Sequence, residues 1–435
     1  MGGTSARQIR TDVESRVASG ELTAGDRLPS VRALAAELGV APATVSAAYR
    51  ELRLRGLVVG RGRQGTRIAP ARRIEAHREA ELPSGLIDAM HGSPDPKMLP
   101  NLATALAHAA SFPQPRYGGP LLEPSLAQAA SALFAMDDIP IENLAATSGA
   151  MDAVERVIGA LDLRIGDRIG VEDPGHIPVH QIARTAGLEL VPLPVDEAGI
   201  TPGGLSDALV GGLNAIVVAP RAQNPTGAAF TAERAQALTA ALARNPATAV
   251  IQDDHAGLIS GVDYCPIEPP GPRWATMRSL GKSFGPDVRV ALVAGDERTM
   301  HRLSLGLSNG PGWVSFILQR AVAYLLTDPG TIELLRATAR SYQQRRDLLI
   351  DELRGHGINA TGASGLNVWI PTNHVAAVIE TARRAGYAIR SGDAYQIQSA
   401  PAVRVTISNL DDGDIRRIAE GIAGVASTRT VAASM

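Results

Sequence analysis

The sequence predicts an α/β protein in two parts: a small basic head of helices and one hairpin, and a large body on a mostly parallel sheet. Three observations carry this. Charge is split unevenly: residues 1–73 hold 13 Arg against 6 carboxylates, a net +7, while the remainder holds 29 basic against 38 acidic residues, inside a total of −2. Apolar residues recur at helical spacing in the first 55 positions. Further on, short apolar strands alternate with helical segments: Arg168–Glu172, Leu188–Pro192, Ala215–Ala219, Thr248–Gln252, Ala275–Leu280 and Ala291–Ala294. Such alternation builds a mostly parallel sheet covered by helices.

At 435 residues the chain is long enough for two or three domains with substantial cores. No apolar run approaches the roughly 18 residues of a membrane span, and the start, with Arg7 and Arg10, lacks a signal-peptide core. A single cysteine, Cys265, excludes an internal disulfide and fits a reducing cytoplasm. No CxxC or HExxH spacing suggests a metal, so none is expected.

In the head, residues 7–18 form a helix with Ile9, Val13 and Val17 on one face. Ser30 caps a second helix bearing Val31, Leu34, Ala35 and Leu38, which Gly39 ends. Pro42 suits the first turn of a third helix that turns Val45, Ala48, Tyr49 and Leu52 inward. Leu57–Val59 and Thr66–Ile68 flank Gly60-Arg61-Gly62-Arg63-Gln64-Gly65, a hairpin with a basic tip. Three helices and a two-stranded wing make a winged helix-turn-helix. Gly-Asp-Arg-Leu-Pro-Ser-Val-Arg-Ala-Leu-Ala, Thr-Val-Ser-Ala-Ala-Tyr and Gly-Arg-Gln-Gly-Thr resemble the GntR-type DNA-binding domain. That resemblance implies double-stranded DNA as partner. It places Ala43, Thr44 and Ser46 near base edges, Arg32 and Arg50 near phosphates, and Arg61 and Arg63 in the minor groove. The family commonly begins its recognition helix with Ser-Arg; here Ala41-Pro42 stands instead, so base choice rests more on the wing and on Thr44.

Residues 1–69 are thus the head and 70–87 a polar linker without apolar periodicity. The body is expected over 88–424, and 425–435 is a tail. In the body, lysine usage singles out one position. Of 42 basic residues 40 are Arg; the lysines are Lys97 and Lys282. Only an amine can lose its proton and condense with an aldehyde; a guanidinium stays charged. Lys282 has Ser279 three residues before it and Arg289 seven after, a hydroxyl and a cation suited to a phosphate on that aldehyde.

Ser-Leu-Gly-Lys followed by Pro-Asp-Val-Arg resembles the Schiff-base segment of fold-type I pyridoxal 5'-phosphate (PLP) aminotransferases. Joined to the head, the body is similar to that of MocR regulators. The resemblance implies a fold-type I body with a smaller C-terminal α+β subdomain, PLP as cofactor, and the following roles. Lys282 is the Schiff-base lysine. Asn224, in Asn-Pro-Thr-Gly, bonds the phenolic oxygen, and Asp253 pairs with the pyridine nitrogen. Ser148, Gly149 and Ala150, with Ser279 and Arg289, hold the phosphate. Tyr117 reaches the neighbouring subunit of a head-to-tail homodimer, and Arg404 binds an effector carboxylate.

Two positions depart. His255 stands where the family has Tyr and His176 where it has a stacking Tyr or Phe; either imidazole can still bond or stack, more weakly. Met151 and Asp152 sit where many relatives have Gln. The sequence therefore leads to a PLP-dependent transcription regulator of the MocR type, responding to PLP or a small amine or amino acid, with at most weak transaminase activity. An active aminotransferase with an appended basic domain, and a regulator that has lost PLP, are the alternatives.

Overall fold

The computed structural model describes residues 5–54, 57–60, 65–69 and 80–432. Arg61, Arg63, most of the linker and the end of the tail lie outside the described residues.

The head folds from local signals. Helix α1 (Ala6–Ala18) starts with a capping box: Ser5 Oγ accepts from Gln8 N–H, and the Gln8 side chain accepts from Ser5 N–H. Ser30 caps α2 (Val31–Leu38) through Ala33 N–H, and Gly39 ends it at φ 62°, left-handed backbone that glycine adopts without strain. Helix α3 (Pro42–Leu54) follows, then an antiparallel wing of β1 (Val58–Gly60) and β2 (Thr66–Ile68). Ile9, Val13, Leu28, Ala35, Val45, Ala48, Tyr49, Leu52, Val58 and Ile68 form its core. The Tyr49 hydroxyl donates to Pro29 O at 2.9 Å, tying α3 to the turn before α2. Leu38, at helical spacing from Val31, Leu34 and Ala35, is 37% exposed because α2 ends there and the chain turns away through Gly39.

The body contains two sheets. The strands of the larger are β4 (Leu144–Thr147), β5 (Arg168–Asp173), β6 (Glu189–Asp196), β7 (Gly199–Ile200), β8 (Ala215–Val218), β9 (Ala249–Asp254), β10 (Trp274–Ser279) and β11 (Ala291–Gly295). Their order is β4-β11-β10-β9-β8-β5-β6-β7. The five central strands β10, β9, β8, β5 and β6 are parallel, while β11 runs antiparallel to both its neighbours. Central strands buried on both faces explain their nearly continuous apolar runs. All six expected strands are found within a residue or two, except that β6 runs on to Asp196.

The smaller sheet joins distant parts of the chain. A strand preceding the large sheet, β3 (Ile87–Ala89), pairs in parallel with β13 (Tyr387–Ser391). With β12 (Asn367–Pro371) and β14 (Ala402–Thr406) the order is β12-β14-β13-β3. Residues 87–89 are therefore built into the same sheet as Arg404.

A buried ion network braces the centre. Asp254, fully buried, accepts two bonds from Arg221 at 2.9 Å each and one from Arg278 Nε at 2.7 Å. Arg278 also donates to Asp137 at 2.6 Å and to Leu133 O at 3.0 Å. Both guanidiniums lie over the Tyr264 ring, at 5.2 and 5.5 Å. Burial opposes ionising Asp254, but the two cations outweigh it and hold its pKa below the ordinary carboxylate value. Removing one member leaves charge buried without compensation, so Asp254→Ala is expected to cost roughly 3–5 kcal/mol. Denaturant unfolding checks this, and a loss under about 1 kcal/mol would show the network is not a brace.

Candidate functional site

The site forms where the carboxyl ends of β5, β8, β9 and β10 converge, the position at which open α/β sheets bind ligands. Asp253 is the penultimate residue of β9, and the β10 residue paired with it is Met277. Five residues further on, Lys282 lies in the short helix Gly281–Phe284. Its Nζ is directed inward, donating to Gly92 O at 2.5 Å, whereas Lys97 is exposed. The two lysines thus differ in their surroundings.

Asp253 is 4% exposed, and its Oδ1 has no hydrogen-bond partner among the described residues. Burial, and then the neighbouring Asp254 charge, push its pKa up to about 7. His255 Nδ1 stands 3.9 Å from Asp253 Oδ2. That imidazole is held neutral: burial, with the Lys282 cation behind it, brings its pKa down to about 4. His176 is driven well below its ordinary value by burial, reinforced by His255, Lys282 and Arg404. The two rings stack at 6.2 Å between centroids and 14° between planes.

Asn224 bridges the rest. Its amide nitrogen meets His176 Nδ1 at 2.9 Å, and its carbonyl accepts from Arg404 Nη1 at 2.8 Å. With His176 neutral, Nδ1 is the acceptor. Arg404, 2% exposed, also donates through Nη2 to Met90 O. Lys282, His176, His255, Asn224, Asp253 and Arg404 are therefore one cluster.

Sequence reasoning missed Glu172. It is buried at the end of β5, accepts from Ala219 N–H at 2.9 Å and Gln223 Nε2 at 3.0 Å, and lines a small cavity with His176, Asn224, Asp253 and His255. Burial, with Asp253 adding to it, raises its pKa to about 8. A carboxylate closing an apolar strand was the available signal.

At the other end of the cluster, the helix Ala150–Ala160 begins at Gly149, φ 96°, with no side-chain cap. A Cβ on Gly149 would sit 3.0 Å from the Arg289 guanidinium, so glycine is required there. Arg289 itself holds a left-handed φ of 45° and donates through Nη2 to Ser148 O at 3.0 Å. A non-glycine residue at that φ costs on the order of 1 kcal/mol and is typical of functional positions. Ser279 is half-buried at the end of β10, and its hydroxyl accepts from Gly281 N–H at 3.4 Å. Tyr117 is not drawn into the cluster: it is 94% exposed, against Trp313 at 5.6 Å. In the head, Arg32, Ala43, Ser46 and Arg50 are exposed and Thr44 is half-buried.

These groups fit PLP. A buried carboxylate oxygen lacking a donor suits a pyridinium, an inward amine suits an aldehyde, and uncapped backbone N–H groups beside Arg289 suit a phosphate. A PLP-type site on this fold, behind a winged helix-turn-helix, defines a cofactor-dependent DNA-binding regulator.

The comparisons agree. The model of aminotransferase class I and II matches residues 78–422, and that of the bacterial regulatory proteins of the gntR family matches 5–68. The chain belongs to the aminotransferase class I and II family and, with its gntR-family head, to the MocR-type transcription regulators that use PLP. It is 38% identical to the vitamin B6 salvage pathway transcriptional repressor PtsJ of Salmonella typhimurium, over 97% of this chain and 98% of that protein. It is 29% identical to the pyridoxine biosynthesis transcriptional regulator PdxR of Corynebacterium glutamicum, over 80% of this chain and 78% of that one. An archaeal alanine:glyoxylate aminotransferase shares the body fold, with a TM-score of 0.71 and 19% identity over 79% of this chain and 91% of that one.

A carboxyl whose folded-state pKa is raised keeps a proton that the unfolded chain releases. Stability from Asp253 therefore falls as pH climbs from 3.8 to about 7. Asp253→Asn is expected to stabilise the ligand-free protein by on the order of 2–4 kcal/mol above that window and negligibly below it, while weakening PLP binding. Unfolding of both proteins at pH 4 and pH 8 measures it; an equal difference at both would refute the assignment.

Proposed function

We propose that this protein is a transcription regulator of vitamin B6 metabolism whose body senses PLP at Lys282. The observation that carries the reading is an inward lysine amine in one cluster with a buried carboxylate whose Oδ1 lacks a donor, in a chain 38% identical to PtsJ. When bound, PLP supplies an aldehyde and an electron-withdrawing ring. Lys282 provides the amine that engages it, Asp253 the counter-charge for the ring nitrogen, and Asn224 and His255 the polar contacts at its phenolic side. His176 provides a flat face. Ser148, Gly149, Ala150, Ser279 and Arg289 receive the phosphate.

Sensing is favoured over turnover by what Arg404 does. Its guanidinium already serves Asn224 Oδ1 and Met90 O, so an effector carboxylate would have to compete with both. Lys282 and Arg404 both hold carbonyls of residues 90–92, immediately after β3 and the linker. His91 extends the hold, with one ring nitrogen 3.0 Å from Asp88 and the other 2.7 Å from Ala80 O. A cofactor held by the Lys282 amine would take that amine from Gly92 O. The strand that anchors the linker is thereby offered two states, biased by occupancy, which is the requirement for coupling.

The head, over 1–69, places α3 in the major groove with Ala43, Thr44 and Ser46 at base edges and Arg32 and Arg50 at phosphates. A linker over 70–87 leads to a body over 88–424 and a tail over 425–435. Two copies pair head-to-tail, Tyr117 completing the partner's site, and the protein works in the cytoplasm where its DNA lies. Among the described residues no helix is long and apolar enough to cross a membrane.

PLP titration should give the wild type a visible band and change its affinity for its own upstream DNA about fivefold or more; Lys282→Ala should show neither. A Lys282→Ala protein that responds like wild type would overturn the assignment, and keto-acid-dependent turnover would favour the enzyme. Arg32→Ala and Arg50→Ala should each lower the slope of log affinity against log salt by about one, without changing site preference.

A further inference from the structure

Asp152, the third residue of the helix Ala150–Ala160, has no part in the reading above. Its Oδ2 accepts from Ser148 N–H at 2.8 Å, and its Oδ1 accepts from Arg156 Nε at 2.8 Å. Ser148 directly precedes the uncapped Gly149, and its carbonyl takes the Arg289 bond. One peptide segment thus meets both the cation assigned to the phosphate and a fixed anion. Ala150 and Met151, the next two side chains, offer no hydrogen-bond donor. The phosphate end of this site therefore relies on backbone N–H groups, Arg289 and the Ser148 and Ser279 hydroxyls, with a carboxylate already on one N–H.

We propose that Asp152 is an affinity-setting residue, an internal competitor for the cofactor's phosphate. It holds Ser148 N–H until a phosphate arrives, and its charge then opposes the incoming anion. Arg156 keeps it in place at 23% exposure, partly neutralised but not withdrawn. The consequence is a site that exchanges PLP with its surroundings, as a concentration sensor needs, where a catalytic site would retain it. This rests on the reading that Gly149 and Arg289 face the phosphate. The competing account is a helix cap: an acid in the first turn complements the helix dipole, whatever binds nearby.

Asp152→Asn separates the two, since it keeps an acceptor for Ser148 N–H and removes the charge. The full-length protein is titrated with PLP and with pyridoxal, which has the same ring and aldehyde without the phosphate, following visible absorbance. The expected result is PLP binding tightened at least about threefold and pyridoxal within about twofold, with inorganic phosphate competing more strongly against pyridoxal phosphate. Asp152→Gln, which also keeps an acceptor, is expected to shift the same ratio and serves should the Asn variant fold poorly. An unchanged PLP-to-pyridoxal ratio in a wild type that binds PLP overturns this proposal alone and leaves a cap. Absence of PLP binding in both wild type and variants overturns it together with the Lys282 reading.

Discussion

Two adjacent carboxylates at the end of one buried strand govern this molecule. Successive side chains of a strand point to opposite faces. On β9 that alternation sends Asp254 into a pair of arginines and Asp253 into the site, where Oδ1 meets no donor. Asp254 is compensated within the fold, so it stabilises. Asp253 is not, so its pKa rises to about 7 and the fold carries a cost that a cationic ring would remove. The satisfied residue makes the unsatisfied one possible: the brace through Arg221, Arg278 and Asp137 fixes the strand end, and the Asp254 charge itself helps raise Asp253.

The same economy of charge explains the histidines. Burial keeps both imidazoles neutral, with the Lys282 cation adding to it at each and Arg404 at His176. Neutral rings can stack and can accept, which is what Asn224 requires of His176. A Tyr at either position would bring its own hydroxyl and a larger face. With aromatic residues at 3% of the chain, the site has been built from imidazole, amide and guanidinium instead.

The large and small sheets meet through these cations. Arg404 comes from the C-terminal sheet, Asn224 from the turn after β8, and the carbonyls of Met90 and Gly92 from the segment behind β3. Because β3 pairs with β13, residues 87–89 form a strand of the sheet that carries Arg404. Lys282 is therefore one hydrogen bond from the segment just past β3.

The sequence by itself determined what local rules control. Ser30, Gly39 and Pro42 set helix ends in the head, and apolar runs set the buried strands, because caps and periodicity act over a few residues. It also singled out Lys282, the one of two lysines with a Ser three residues before it and an Arg seven after. Tertiary structure decided what depends on partners far apart in sequence. That Glu172 is a buried acid with a pKa near 8, that Arg404 is already engaged by Asn224 and Met90, and that Asp254 is a brace while Asp253 is poised, all follow from contacts across the sheet. Desolvation and charge pairing are properties of an assembled interior, and no spacing along a chain encodes them.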